Sequence, residues 1–228
     1  MYYLFIIITF AITLGAQAYL NSQYNKCAKI MNSKGITGLE VARMILDKNG
    51  LKEVGVLQTS GVLSDHYDPK NKVVRLSDSI YAKSSIASVS VAAHECGHAI
   101  QDKTGYVFLR FRKSITPLVN FASMAGYIAI MIGIFAGALR IFWFGIFCEA
   151  FILLFQLITL PVEFDASRRG LYELLDLGIV DSRELSNCKG MLTAAALTYV
   201  AAVATSLLEI LRLVLMARRR DWYNVKSS

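Results

Sequence analysis

Charge is scarce in this chain. Only 18% of its 228 residues are charged, while 55% are hydrophobic. An average soluble domain is about a quarter charged and about half apolar. The mean hydropathy is +0.46, and a chain this poor in charge is not intrinsically disordered. Cysteine is sparse as well. Cys27, Cys96, Cys148 and Cys188 stand far apart and form no CxxC pair, which argues against a disulfide-stapled secreted scaffold and for four small buried apolar side chains. No internal repeat or low-complexity tract is visible. Lysine and arginine are scattered, with no basic stripe interleaved with aromatics, so nucleic acid is not an expected partner. In so apolar a chain, the net charge of +7 points instead to positive loops on the cytoplasmic side of a membrane. The length fits one domain, or one with a small appendage.

Long uncharged runs are what the chain does have. Residues 2–20 match the ~20 residues that span a bilayer. A signal peptide would carry positive charge before its apolar run. Met1-Tyr2-Tyr3 carries none, and Lys26 and Lys29 come after the run. The expectation is a retained N-terminal anchor over 1–20, its N-terminus outside. Residues 118–139 and 141–162 are two further runs, separated only by Arg140. They read as a tight transmembrane hairpin over 118–162, with Arg140, Phe142 and Trp143 at an interfacial turn. Residues 190–217 form an apolar helix rich in small residues, a possible fourth span. Glu209 and Arg212, three apart, can pair on one of its faces. Residues 218–228 begin with three arginines and form a basic tail.

The positive-inside rule orients these spans. Residues 21–117 carry 14 Lys and Arg, and residues 163–189 carry four more. With three spans before the second stretch, both lie on one side of the membrane, the cytoplasmic one.

Between the anchor and the hairpin, residues 37–49 repeat apolar positions at helical spacing, and Gly50 follows as a stop. Residues 53–60 alternate like a strand. Residues 61–77 read as two short strands around the turn Asp68-Pro69-Lys70-Asn71. Asp78 or Ser79 can cap a helix, and 84–102 reads as one helix ending near Gly105. The strand before that helix is a candidate to pair with an extended substrate.

That helix carries His94-Glu95-Cys96-Gly97-His98, the pattern H-E-x-x-H. Histidines four apart lie one turn apart on one face, so both imidazoles can reach one metal. Glu95, beside them, can accept a proton from water. Zinc suits His nitrogen and carboxylate oxygen in a tetrahedral shell with one position left for water. The flanks Val89, Val91, Ala92, Ala93, Ala99 and Ile100 are apolar nearly all round, and a buried helix with two His and a Glu needs something to satisfy them. A catalytic zinc takes a third protein ligand. His66 precedes the helix. Glu163 and Asp165 follow the hairpin over 163–189, where topology returns a carboxylate to the side that carries the histidines.

The chain resembles the YugP-like family of membrane zinc metallopeptidases over nearly its whole length. The carriers are the N-terminal anchor, Asp65-His66-Tyr67-Asp68-Pro69, A-A-H-E-C-G-H-A-I-Q at 92–101, L-P-V-E-F-D-A-S-R-R at 160–169, and A-A-A-L-T-Y-V-A-A at 194–202. More distantly it is similar to HtpX-type and CAAX prenyl proteases. These are gluzincins, with a transmembrane hairpin between H-E-x-x-H and a glutamate in an E-x-x-A-D motif. Laid on this chain, the motif puts its zinc-binding glutamate at Glu163 and its Ala at Ala166. Its Asp falls on Ser167, a departure, and Asp165 is the candidate to support a ligand histidine in its place. The resemblance implies an α-helical integral membrane protein with a small α+β zincin-like catalytic domain over 21–117 and three or four transmembrane helices. By the same resemblance one Zn2+ per chain is expected to be held by His94, His98 and Glu163, with Glu95 as the expected general base. His66, Tyr67 and Arg168 are the candidate oxyanion or substrate contacts. The expected function is a zinc-dependent metalloendopeptidase in a bacterial cell membrane, its site on the cytoplasmic side, acting on membrane-associated polypeptides. Two other classes compete. One is a non-catalytic zinc-stabilised adaptor or chaperone; the other is a transporter using the intramembrane Glu149.

Overall fold

The structure is a computed structural model. It describes residues 2–227, and side chains as far as Arg219. The tail expected over 218–228 therefore falls, from Arg220 onward, outside the described side chains. The element order is α1 (Tyr2–Ala28), α2 (Gly38–Lys48), β1 (Gly55–Thr59), β2 (His66–Asp68), β3 (Val73–Ser77), α3 (Asp78–Tyr81), α4 (Ile86–Lys103), α5 (Val107–Phe135), α6 (Leu139–Asp176) and α7 (Ser182–Ser227). It is a mostly helical α+β membrane protein. Among the described residues four helices are long and apolar enough to cross a bilayer, namely α1, α5, α6 and α7 as far as Arg219. The chain forms two compact units, one of Met1–Ala16, Phe111–Leu160 and Thr198–Ser228, the other of Gln17–Arg110 and Pro161–Leu197.

The first unit is made of apolar helix segments. α5 and α6 pack closely because glycine leaves room. A Cβ on Gly133 would lie 2.5 Å from Cβ of Phe142, and one on Gly126 2.7 Å from Cβ of Cys148. Small residues at such contacts let backbones approach. The turn between the helices uses Gly137 at φ +67°, a conformation costly for residues with a Cβ. Phe142 differs from expectation. It is fully buried, packed with Ile146, Leu213 and Ala217, with Gly133 of α5 set against its backbone and Cβ. Trp143 stays partly exposed. Glu209 pairs with Arg212 as the spacing predicts, Arg212 Nε donating to Glu209 Oε2 at 2.8 Å.

The second unit holds the mixed core. α2 begins at a reciprocal cap: Thr37 Oγ1 accepts from Glu40 N–H, and the Glu40 carboxylate accepts from Thr37 N–H. Such caps contribute about 1 kcal/mol. Ala42, Ile45 and Leu46 then face inward and are completely buried, as their spacing predicts; Leu39 of the same repeat is only partly buried, and Val41 is buried beside them. The three-stranded sheet has the order β1-β3-β2, with β1 parallel and β2 antiparallel to β3. β3, the strand before the helices, is therefore central. Both its edges are already hydrogen-bonded, so it cannot take an added substrate strand; the sheet edges are β1 and β2. Asp68 Oδ1 accepts from the N–H groups of Lys70 and Asn71 and closes the β2–β3 turn. Ser77, not Asp78 or Ser79, occupies the N-cap of the short α3, while α4 is capped by Ser85, whose Oγ accepts from Ser88 N–H at 3.1 Å. α4 is the central helix of this unit. Its Ala87, Val89, Ala92, Ala93, Cys96 and Ala99 are buried, and Cys96 Sγ reaches the Ala42 carbonyl of α2.

Candidate metal centre

Two helices build the site, and small residues set their distance. α4 offers Ala93 and Gly97; the later part of α6 offers Ala166 and Gly170. A Cβ on Gly170 would lie 2.6 Å from the carbonyl oxygen of Ala93. Backbone meets backbone here, so a side chain one turn away can cross between the helices. Glu163 is that side chain. It lies just past the apolar stretch 141–162 and is 3% exposed.

Its Oε2 stands 3.3 Å from His94 Nε2 and 3.6 Å from His98 Nε2. The two rings meet edge to face, 4.8 Å between centroids. One ligand atom from each of His94, His98 and Glu163 falls within 4.8 Å of the others. Zinc bonds of about 2.0–2.2 Å in a tetrahedral shell put neighbouring donors about 3.3 Å apart. The donor types and separations fit such an ion. Burial pushes the Glu163 carboxyl up, but hydrogen bonding and charge from both histidines outweigh it and hold it well below the usual carboxylate range. Burial pushes His98 down, and Glu163 more than restores it. An imidazole pair thus keeps a buried carboxylate ionised, the state in which it can bind a metal.

Each histidine is held from behind. His94 Nδ1 lies 3.0 Å from Ser167 Oγ, so the serine at the departed motif position makes the contact itself. His98 Nδ1 lies 3.0 Å from Gln101 Oε1. Asp165 touches neither ring. It accepts from Gln101 Nε2 at 3.0 Å and from Arg168 and Arg169, so it reaches His98 through Gln101. Glu95 is 7% exposed, and its carboxylate has no hydrogen-bond partner among the described residues.

The structure does not bring His66 or Tyr67 into the cluster. His66 is exposed on β2, its Nδ1 2.8 Å from the Ser64 carbonyl. The Tyr67 hydroxyl donates to Asp102 Oδ2 at 3.0 Å, an oxygen shared with Lys72. Arg168 is exposed beyond Asp165. With Ser167, Phe164, Lys189, Leu192 and Thr193 it lines a groove of about 350 Å³. Ser167 and Gln101 are the functional contacts that sequence reasoning did not assign. Gln101, three residues after His98 on one helix, could have been found by spacing.

The sequence profile of the family described as "putative neutral zinc metallopeptidase" matches residues 2–218. The chain belongs to this family. It is 44% identical over 216 residues to the "Putative membrane protease YugP" of Bacillus subtilis (strain 168), an alignment covering 93% of this chain and 96% of that protein. No solved structure matches the chain at a significant level. Among the described residues, four membrane-competent helices and a cluster able to hold a metal ion accord with that family description.

Proposed function

We infer that this protein is a membrane-embedded zinc metalloendopeptidase that hydrolyses peptide bonds of membrane-associated proteins or peptides. The observation that carries the reading is the convergence of one ligand atom each from His94, His98 and Glu163 within 4.8 Å, with the buried, unbonded carboxylate of Glu95 on the adjoining residue.

One zinc ion per chain would be held by His94, His98 and Glu163. Zinc bound in this way supplies a Lewis acid and lowers the pKa of water from about 16 to near 7. Glu95 is the general base: it takes a proton from the attacking water and passes it to the leaving amine nitrogen. No hydrogen bond competes for its oxygens. Ser167 orients His94, and Asp165 steadies Gln101 behind His98. Arg168, which lines the groove beside Ser167, is the candidate donor to the developing oxyanion or to substrate. The site is assigned to the cytoplasmic face of a bacterial cell membrane, supported by the 18 Lys and Arg in residues 21–117 and 163–189.

The test is cleavage of a quenched peptide library by zinc-loaded protein in detergent, wild type beside Glu95→Gln, with zinc content measured in both. Cleavage by the wild type, lost in E95Q with zinc retained, is the expected result. Zinc bound by both proteins with cleavage by neither would favour a zinc-stabilised adaptor. Equal cleavage by both would remove Glu95 as the base.

A further inference from the structure

Gln101 is completely buried on α4, and its carboxamide makes three hydrogen bonds. Its Nε2 donates to the Val162 carbonyl oxygen at 2.8 Å and to Asp165 Oδ2 at 3.0 Å. Its Oε1 lies 3.0 Å from His98 Nδ1. The amide has only one orientation that satisfies all three contacts. Flipped, it would set Oε1 against a carbonyl oxygen and a carboxylate oxygen, leaving buried acceptors facing each other without a proton. Arg168 and Arg169 both donate to Asp165, which keeps that carboxylate an acceptor.

An amide oxygen can only accept. His98 Nδ1 must therefore carry the hydrogen, and the neutral ring then bears its lone pair on Nε2, the atom that faces Glu163. His94 has no such constraint, because a serine hydroxyl both donates and accepts. We propose that Gln101 is a positioning residue that fixes His98 in the Nδ1–H tautomer and so presents Nε2 to the metal. The inference rests on the reading of His94, His98 and Glu163 as the metal ligands. An acceptor behind a ligand histidine fixes the ring and raises its basicity, and its loss typically costs 10–100-fold in metal affinity.

The competing role is purely structural, with the two donor bonds of Gln101 tying α4 to α6. Two variants separate the roles. Gln101→Met removes acceptor and donors together. Gln101→Glu keeps an oxygen acceptor for His98 but loses both donors. The expected zinc affinity, measured by chelator competition, falls about 10–100-fold in Q101M and stays within about threefold of wild type in Q101E, while the melting temperature falls in both. Affinity falling equally in both variants, or unchanged in Q101M, would overturn the proposal.

A second measurement needs no variant beyond one for assignment. In metal-free protein with 15N-labelled histidine, taken up in pH until the ring signals of His98 no longer change, long-range proton–nitrogen correlation reads the tautomer of the neutral ring, with His98 assigned by its loss in His98→Gln. Nδ1–H is expected, and Nε2–H as the main form would overturn the proposal. Absence of zinc binding by wild type would defeat the ligand reading, and the tautomer measurement would still decide the role of Gln101.

Discussion

Gly97 and Ala166 touch backbone to backbone: a Cβ added to Gly97 would lie 2.2 Å from the Ala166 carbonyl oxygen. The atom in the way is main chain and cannot rotate aside. Gly97→Ala must therefore push α4 and α6 apart. Overpacking of this kind costs about 1–3 kcal/mol. Because Glu163 lies three residues before Ala166, the same shift carries the carboxylate from the histidines. The expected result is a lower melting temperature together with at least about a tenfold loss of zinc affinity. Unchanged affinity in a destabilised protein would show that the close crossing serves packing alone.

Glu163 and Asp165 lie two residues apart and can be told apart by metal binding. Glu163 faces both imidazole nitrogens, whereas Asp165 faces Gln101 and two arginines. Glu163→Gln is expected to lower zinc affinity by well over the 10–100-fold that changes behind a ligand cost, with Asp165→Asn staying inside that range. Titration of each variant against a zinc chelator decides it, and the reverse order would make Asp165 the third ligand.

How much of this was legible in the sequence depends on range. The H-E-x-x-H pattern, the helix over 37–49 and the Glu209–Arg212 pair are local, and a helical period of 3.6 is enough to read them. Glu163 emerged from topology together with a family resemblance. Spacing alone left Asp165 and His66 open, because nothing local says which acid crosses to α4. The contact that selects Glu163 is made by Gly97 and Gly170, whose meaning appears only when the facing backbone is known. Ser167 read as a departure from a motif, since its hydroxyl contact with His94 is a tertiary fact. The sheet order was also hidden. Strand patterns mark strands but do not pair them, and β3 proved central where an edge was expected.

Tyr67 sits at the edge of the proposed chemistry, and its hydroxyl is engaged by Asp102. A donor to an oxyanion is worth about 10²–10³ in kcat, whereas a single hydrogen bond is worth about 1 kcal/mol of stability. Tyr67→Phe is expected to leave kcat within about threefold of wild type and to lower unfolding stability by about 1 kcal/mol. A hundredfold fall in kcat at unchanged zinc content would instead make the hydroxyl part of catalysis.

Asp165 gives the fold a pH dependence of known sign. Burial pushes its carboxyl up, but Arg168, Arg169 and Gln101 outweigh it and hold its pKa below the ordinary carboxylate value. In the unfolded chain the group titrates near 3.9. A depressed folded pKa means that the native state binds the proton less readily than the unfolded one. The stabilisation is therefore fully present above the unfolded value and is lost as the pH falls through the folded value. Asp165→Asn removes the charge at every pH. Metal-free wild type is expected to exceed D165N in stability by about 2 kcal/mol at pH 7, the scale of hydrogen bonds to a charged group. That gap should hold down to about pH 5 and close progressively below about pH 4. Denaturant unfolding of both metal-free proteins in detergent across this range is the measurement. A gap that persisted undiminished below pH 3 would show that the charge on Asp165 contributes nothing and that its value lies in shape and neutral hydrogen bonding alone.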